Sequence, residues 1–128
     1  MKFHDTEIRV RYEDADPMGF LHHAQYFSFF EIGRLDFFRA RGGDYRAMEA
    51  AGLFVVVAKA ECRFRQPARF DDLVTVRTII HAITPAKIIQ RYEMRRGGDL
   101  LAEGEVTLAV VDRAGRVQRV PDWLRDTY

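Results

Sequence analysis

Cysteine occurs once in the 128 residues, at Cys62, so no disulfide can form within the chain. No apolar run reaches the roughly 20 residues that a membrane-spanning helix needs, and the stretch MKFHDTEIRV at the start has no apolar signal-peptide core. An excess of either charge is also missing. The 20 Lys and Arg face 19 Asp and Glu for a formal net charge of +1, and the basic residues are scattered. That balance gives no argument for nucleic acid. Repeats, low-complexity tracts and linkers are absent. The expectation is one cytoplasmic domain over residues 1–128, with no membrane span.

Several catalytic motifs are missing too. There is no G-x-S-x-G elbow, which argues against a serine enzyme of the α/β-hydrolase type. There is no P-loop and no dinucleotide fingerprint. His4, His22, His23 and His81 lack the spacing with acids or cysteine that a closed metal site requires.

What the chain does have is one strongly aromatic helix. His23 to Arg41, HAQYFSFFEIGRLDFFRAR, contains no proline. Tyr26, Phe30, Gly33 and Phe37 share one face at helical spacing, and Phe27, Glu31, Arg34 and Phe38 share a second. Phe29, Ile32 and Leu35 add apolar positions elsewhere, and a helix apolar most of the way round is a buried one. No second strong helix is available, so a sheet must cover it. Gly33 costs up to about 1 kcal/mol inside a helix, which suggests a close approach by a strand. Gly42 and Gly43 end the helix.

Around that helix the period is 2. Residues 7–12 alternate, with Ile8, Val10 and Tyr12 on one side. Residues 42–53 read as a loop with a helical turn over Tyr45–Ala51. Further strands follow from Phe54 to Phe64, Leu73 to Ile83, Lys87 to Arg95 and Leu101 to Val111, with a short last one at Val117–Val120 and a tail at Pro121–Tyr128. Hairpin-length connections make neighbouring strands antiparallel. The fold class is α+β, a long helix against a five- or six-stranded antiparallel sheet. Ala58, Ala60, Ala102 and Gly104 would give the sheet a small-residue inner face, and Cys62 falls on that apolar face as a core residue.

The stretch that can carry chemistry is Tyr12-Glu13-Asp14-Ala15-Asp16-Pro17-Met18-Gly19, with His22 and His23 after it. Asp before Pro with Gly three residues after the Asp is ordinary turn chemistry. The same turn also delivers a carboxylate to the start of the helix, where unpaired N–H groups and the positive end of the dipole lie. An oxygen gaining negative charge can bind there, while a nearby carboxylate attacks a carbonyl carbon or deprotonates water.

The run Y-E-D-A-D-P-M-G-F-L-H-H-A-Q-Y-F-S-F-F-E-I-G-R resembles the hotdog-fold acyl-CoA thioesterases, in the branch of 4-hydroxybenzoyl-CoA thioesterase and the Tol–Pal-associated enzymes. The shared features are the aromatic before the acidic turn, the D-x-D-x-x-G core, and Tyr26, Glu31 and Arg34. R-Q-P-A-R-F-D-D-L-V at 65–74 and L-L-A-E-G-E-V in the last long strand are similar as well.

The resemblance implies that Asp16 is the catalytic carboxylate, as nucleophile or general base, and that Asp14 holds the turn. It implies an oxyanion contact from the backbone N–H of His23 and a role for Gly19 in letting the backbone pass near the thioester. His22 and Tyr26 would border the substrate, and Lys87 would meet the coenzyme A phosphates, with Arg63, Arg65 and Arg91 as further basic candidates. By their i, i+3 spacing Glu31 and Arg34 can form a structural pair, with Glu31 the leading alternative for the helper acid that other members of the superfamily place on the helix, and Asp71 and Asp72 belong to a turn. The family needs no metal or redox cofactor, since coenzyme A is part of the substrate, and it assembles as homodimers or homotetramers. The alternative is a non-catalytic acyl-CoA or acyl-carrier binding protein on the same fold. A hotdog hydratase or dehydratase would need a His–acid pair that is missing here.

Overall fold

A computed structural model describes residues 2–128. Strand β1 (Phe3–Arg9) leads through a 3-10 turn (Tyr12–Asp14) to helix α1 (Gln25–Ala40) and the short α2 (Tyr45–Ala50). Then come β2 (Phe54–Phe64), β3 (Leu73–Ile83), β4 (Ile88–Arg96), β5 (Asp99–Val111), β6 (Val117–Gln118) and α3 (Asp122–Thr127). The strands form one six-stranded sheet in the order β1-β3-β4-β5-β2, with β6 beside β5, and every pairing is antiparallel. Helix α1 lies across one face of it, as the hotdog resemblance implies.

The face predicted from spacing is the one α1 buries. Tyr26, Phe30, Gly33 and Phe37 are all inside, and Phe29 and Phe38 join them. The close approach is to side chains. A Cβ on Gly33 would stand 2.8 Å from Thr78 Oγ1 and 3.0 Å from Val76 Cγ1. The reciprocal gap lies in β5, where a Cβ on Gly104 would stand 2.4 Å from the Phe30 ring. Phe30 in turn stacks on Tyr92 of β4 at 4.6 Å.

Four expectations need correcting. Helix α1 is not covered all round: Phe27 and Ile32 are exposed, because β2 is an edge strand and nothing closes over that flank. Strand β1 ends at Arg9, and the turn that follows swings Tyr12 outward, leaving it 83% exposed. Of the small inner residues, Ala102, Gly104 and Ala60 lie on the helix side, Ala60 exposed on the edge strand beside Phe27 and Glu31 of α1, whereas Ala58 falls at a register shift. Finally, β2 and β3 are consecutive but not neighbours. Residues 65–72 carry the chain across the ends of β4 and β5, where Arg65 and Gln66 N–H groups donate to the Leu101 carbonyl and Arg96 donates to the Pro67 carbonyl.

That crossover pins the loop between β1 and α1. Val10 N–H donates to Asp72 O, Asp71 N–H to Val10 O, Leu21 N–H to Ala68 O and Phe70 N–H to Gly19 O, each at 2.8–2.9 Å. Inside the loop Asp14 is 1% exposed. Its Oδ2 accepts from Arg11 N–H at 2.9 Å and Arg11 Nε at 3.2 Å, its Oδ1 from Arg11 Nη2 at 3.0 Å, and its carbonyl from His22 N–H at 2.9 Å. The Arg11 hydrogen bonds hold the Asp14 carboxyl below its ordinary range.

Gly33→Leu overpacks the helix–sheet contact and lowers stability by about 1–3 kcal/mol. Gly98→Ala, where a Cβ meets nothing within 4 Å, leaves the melting temperature unchanged. An unchanged Gly33→Leu melting curve would sink the contact argument. Because the folded pKa of Asp14 is depressed, its stabilisation is complete above the unfolded value of 3.8 and is lost as pH falls through the folded value. Denaturant titrations of wild type and Asp14→Asn should therefore differ at neutral pH and converge in acid.

Candidate active site

Asp16 sits at the tip of the pinned loop. Its N–H donates to Phe20 O at 2.8 Å, and its carbonyl accepts from Gly19 N–H at 2.9 Å. Gly19 adopts φ +79°, the left-handed region that this tight turn requires. The Asp16 side chain folds back on the turn. Oδ1 accepts from Met18 N–H at 2.9 Å and Phe20 N–H at 3.1 Å. Oδ2 accepts nothing among the described residues. The carboxylate is thus aimed by one oxygen and open at the other.

Two clefts meet at Asp16 and share no other lining residue. One, of about 290 Å³, runs from Asp16 and His23 past Tyr26 to Phe64, Gln66 and Pro67. The other, of about 400 Å³, lies between Tyr12 and Phe70, whose rings meet edge to face at 5.4 Å. Phe64 and the residues after it come from the end of β2 and the crossover. The motif at 12–23 does not announce this wall. Pro67, which breaks the β2 pattern, is the signal that marks it.

His23 lies at the entry to α1. Its N–H has no acceptor among the described residues, although His22, Ala24, Gln25 and Tyr26 all donate around it. Asp16 and His23 both line one cleft.

Tyr26 borders that cleft. Its ring packs edge-on against Phe64 at 4.9 Å, its hydroxyl accepts from Ala68 N–H at 3.4 Å, and burial pushes its pKa up. The His22 side chain lines neither cleft; its Nδ1 accepts from Ala24 N–H at 3.1 Å. Lys87 stands in the β3–β4 turn, at the far end of β4 from Arg96. Nine residues at about 3.3 Å each put it roughly 30 Å from the crossover within one chain.

Glu31 and Arg34 form no ion pair among the described residues; Arg34 points instead to the Tyr92 hydroxyl at 3.5 Å. Arg65 pairs with Glu103 and Arg91 with Glu105 on the exposed sheet face. Asp71 and Asp72 are turn residues, and Asp72 accepts from Arg69 N–H and Arg96. Cys62 is half-buried, and burial pushes its thiol up to about 11. Among the described residues no group of three or more His, Cys, Asp or Glu side chains could hold a metal ion, and no helix is long and apolar enough to cross a membrane.

The chain is 33% identical over 107 residues to the acyl-CoA thioester hydrolase YbgC of Escherichia coli, covering 82% of this chain and 79% of that one. A 38% identical stretch of 68 residues, 53% of each chain, is shared with an Aquifex aeolicus protein. The crystal structure of a probable thioesterase from Bartonella henselae superposes with a TM-score of 0.89 at 34% identity, over 94% of this chain and all of that one. Residues 10–127 match the family model of the thioesterase-like superfamily, and the chain belongs to that superfamily.

Proposed function

We propose that the protein is an acyl-CoA thioesterase that uses the Asp16 carboxylate and the His23 backbone N–H. The observation that carries this is one cleft lined by both Asp16, whose carboxylate is aimed with Oδ2 open, and His23, whose N–H has no acceptor among the described residues. The E. coli relative's name supplies the substrate class, an acyl-CoA thioester.

In this reading the thioester carbonyl oxygen accepts from His23 N–H, which strengthens as negative charge develops. As nucleophile, Oδ2 bonds to the carbonyl carbon and the C–S bond breaks, giving a mixed anhydride and coenzyme A thiolate; water then cleaves the anhydride to free acid. As general base, Asp16 takes a proton from water, whose oxygen attacks the carbon directly; the C–S bond then breaks, and coenzyme A leaves as the thiolate or, with that proton, as the thiol. Either route uses the same placement and no redox step. Single-turnover hydrolysis in 18O water tests the anhydride route: 18O enters the Asp16 side chain only there, when water attacks the anhydride at the Asp16 carboxyl carbon.

Asp16→Asn keeps the turn's acceptor oxygen and removes the charge, so thiol release should fall by about 10²-fold or more with an unchanged melting curve. Cys62→Ser should retain turnover, since a thiol whose pKa is about 11 is protonated at neutral pH. Asp16→Asn at wild-type rates would overturn the catalytic assignment. Acyl-CoA binding by the wild type without any thiol release would favour the non-catalytic binding protein.

Strand β2 forms the second element of this reading. It is an unpaired edge with Val56, Val57 and Phe64 exposed, beside the exposed Phe27 and Ile32 of α1. An apolar open edge favours pairing with another copy, which makes the working form a homodimer or a homotetramer. A second copy also offers a route for a basic residue such as Lys87 to reach the substrate, across a distance one chain does not close. Sedimentation velocity returning the 14.9 kDa mass of a single chain would refute this part.

A further inference from the structure

His22 is the residue whose position the catalytic reading leaves unexplained. Helix α1 begins without a side-chain cap on Ala24. Its entry is held by His22 instead, through three atoms. His22 N–H donates to Asp14 O at 2.9 Å, the His22 carbonyl accepts from Gln25 N–H at 2.8 Å, and Nδ1 accepts from Ala24 N–H at 3.1 Å. The peptide carrying the His23 N–H lies inside this bracket.

A backbone amide can only donate, so Nδ1 must present its lone pair and the ring must be neutral, with its proton on Nε2. Nδ1 of histidine occupies the place that Oδ1 takes in asparagine, and the contact to the N–H two residues on has the form of an Asx turn. Protonation turns Nδ1 into a donor facing a donor. It also puts a positive charge at the helix N-terminus, where the dipole opposes it.

The surroundings supply no compensating acid. The His22 ring stacks on the His23 ring at 4.2 Å. No carboxylate comes within 4.0 Å of His22 among the described residues; the one His–acid contact there is His4 with Asp36. Asp14 shows His22 its carbonyl and gives its carboxylate to Arg11. Asp16 and Arg65 lie along the neighbouring cleft with His23.

We infer that His22 is a positioning residue whose imidazole, by accepting from Ala24 N–H, holds the His23 N–H in place. The inference rests on the thioesterase reading for its rate consequence and on the hydrogen bond alone for its structural one.

The test compares kcat and KM for wild type, His22→Asn and His22→Ala. His22→Ala should lose at least about threefold in kcat, with KM little changed. His22→Asn accepts the same N–H and should restore kcat to within about twofold of wild type. His22→Ala at the wild-type kcat, or His22→Asn as slow as His22→Ala, overturns the proposal.

Imidazole 15N shifts provide a readout independent of turnover. The neutral His22 ring should carry its proton on Nε2, and the Ala24 amide shift should move in His22→Ala and return in His22→Asn. A proton on Nδ1 of the neutral ring overturns the proposal. If wild type releases no thiol at any pH, the thioesterase reading fails, and these shifts still decide whether His22 holds the turn.

Discussion

The loop between β1 and α1 depends on one buried carboxylate. Asp14 sits where a polar turn passes under its own backbone, and its acceptor atoms take up the Arg11 amide, the Arg11 guanidinium and, through the main-chain carbonyl, the His22 amide. Leaving buried donors and acceptors unpaired is costly, so the loop has few alternatives to this path. Two residues on, Asp16 inherits a fixed direction. The first acid of D-x-D is satisfied inward by its own loop, and the second is half satisfied and turned outward. Identical side chains therefore do opposite work because only one of them has all its oxygens occupied.

The scaffold beneath is matched by size. Phenylalanines on α1 need depth, and the sheet supplies it by omitting side chains: Gly104 makes room for the Phe30 ring, and Gly33 makes room for Thr78 and Val76. Either glycine alone reads as a weakness in its element. As a pair they let a bulky helix lie close to a sheet without forcing rotamers, which is how interiors reach crystal-like density.

Much of this was legible in the sequence, and the limits have physical causes. Helical and strand periods are local, so α1, β3 and the β4–β5 hairpin could be placed within a residue or two. Strand partners are not local. Pro67 marks where β2 stops, but it does not say that Arg65–Asp72 crosses the ends of two strands rather than turning back, and the wall of the site went unread with it. Tyr12 continued an alternating pattern, yet the pull of Asp14 on the Arg11 amide wound the chain into a 3-10 turn and put the ring in water. Glu31 and Arg34 had the spacing of a pair, but the Tyr92 hydroxyl drew the guanidinium inward. The Asp16 turn was readable because proline and glycine punctuate it. The capping contact made by His22 was not, because histidine is seldom the residue that fills that place.

The order of strands in the sheet bears on how the site comes into being. Strands β3, β4 and β5 close through tight turns, whereas β1 pairs with β3 across most of the chain, with Asp5 meeting Arg77 72 positions away. Chain entropy charges most for that long closure. The loop that carries Asp16 hangs from the far end of β1 and meets its wall at residues 68–72 where β1 lies beside β3. A molecule with its hairpins formed and β1 still free would possess most of its sheet and none of the candidate site. The proposed chemistry is thus tied to the least local pairing in the fold, and its rate would report on completion of the whole.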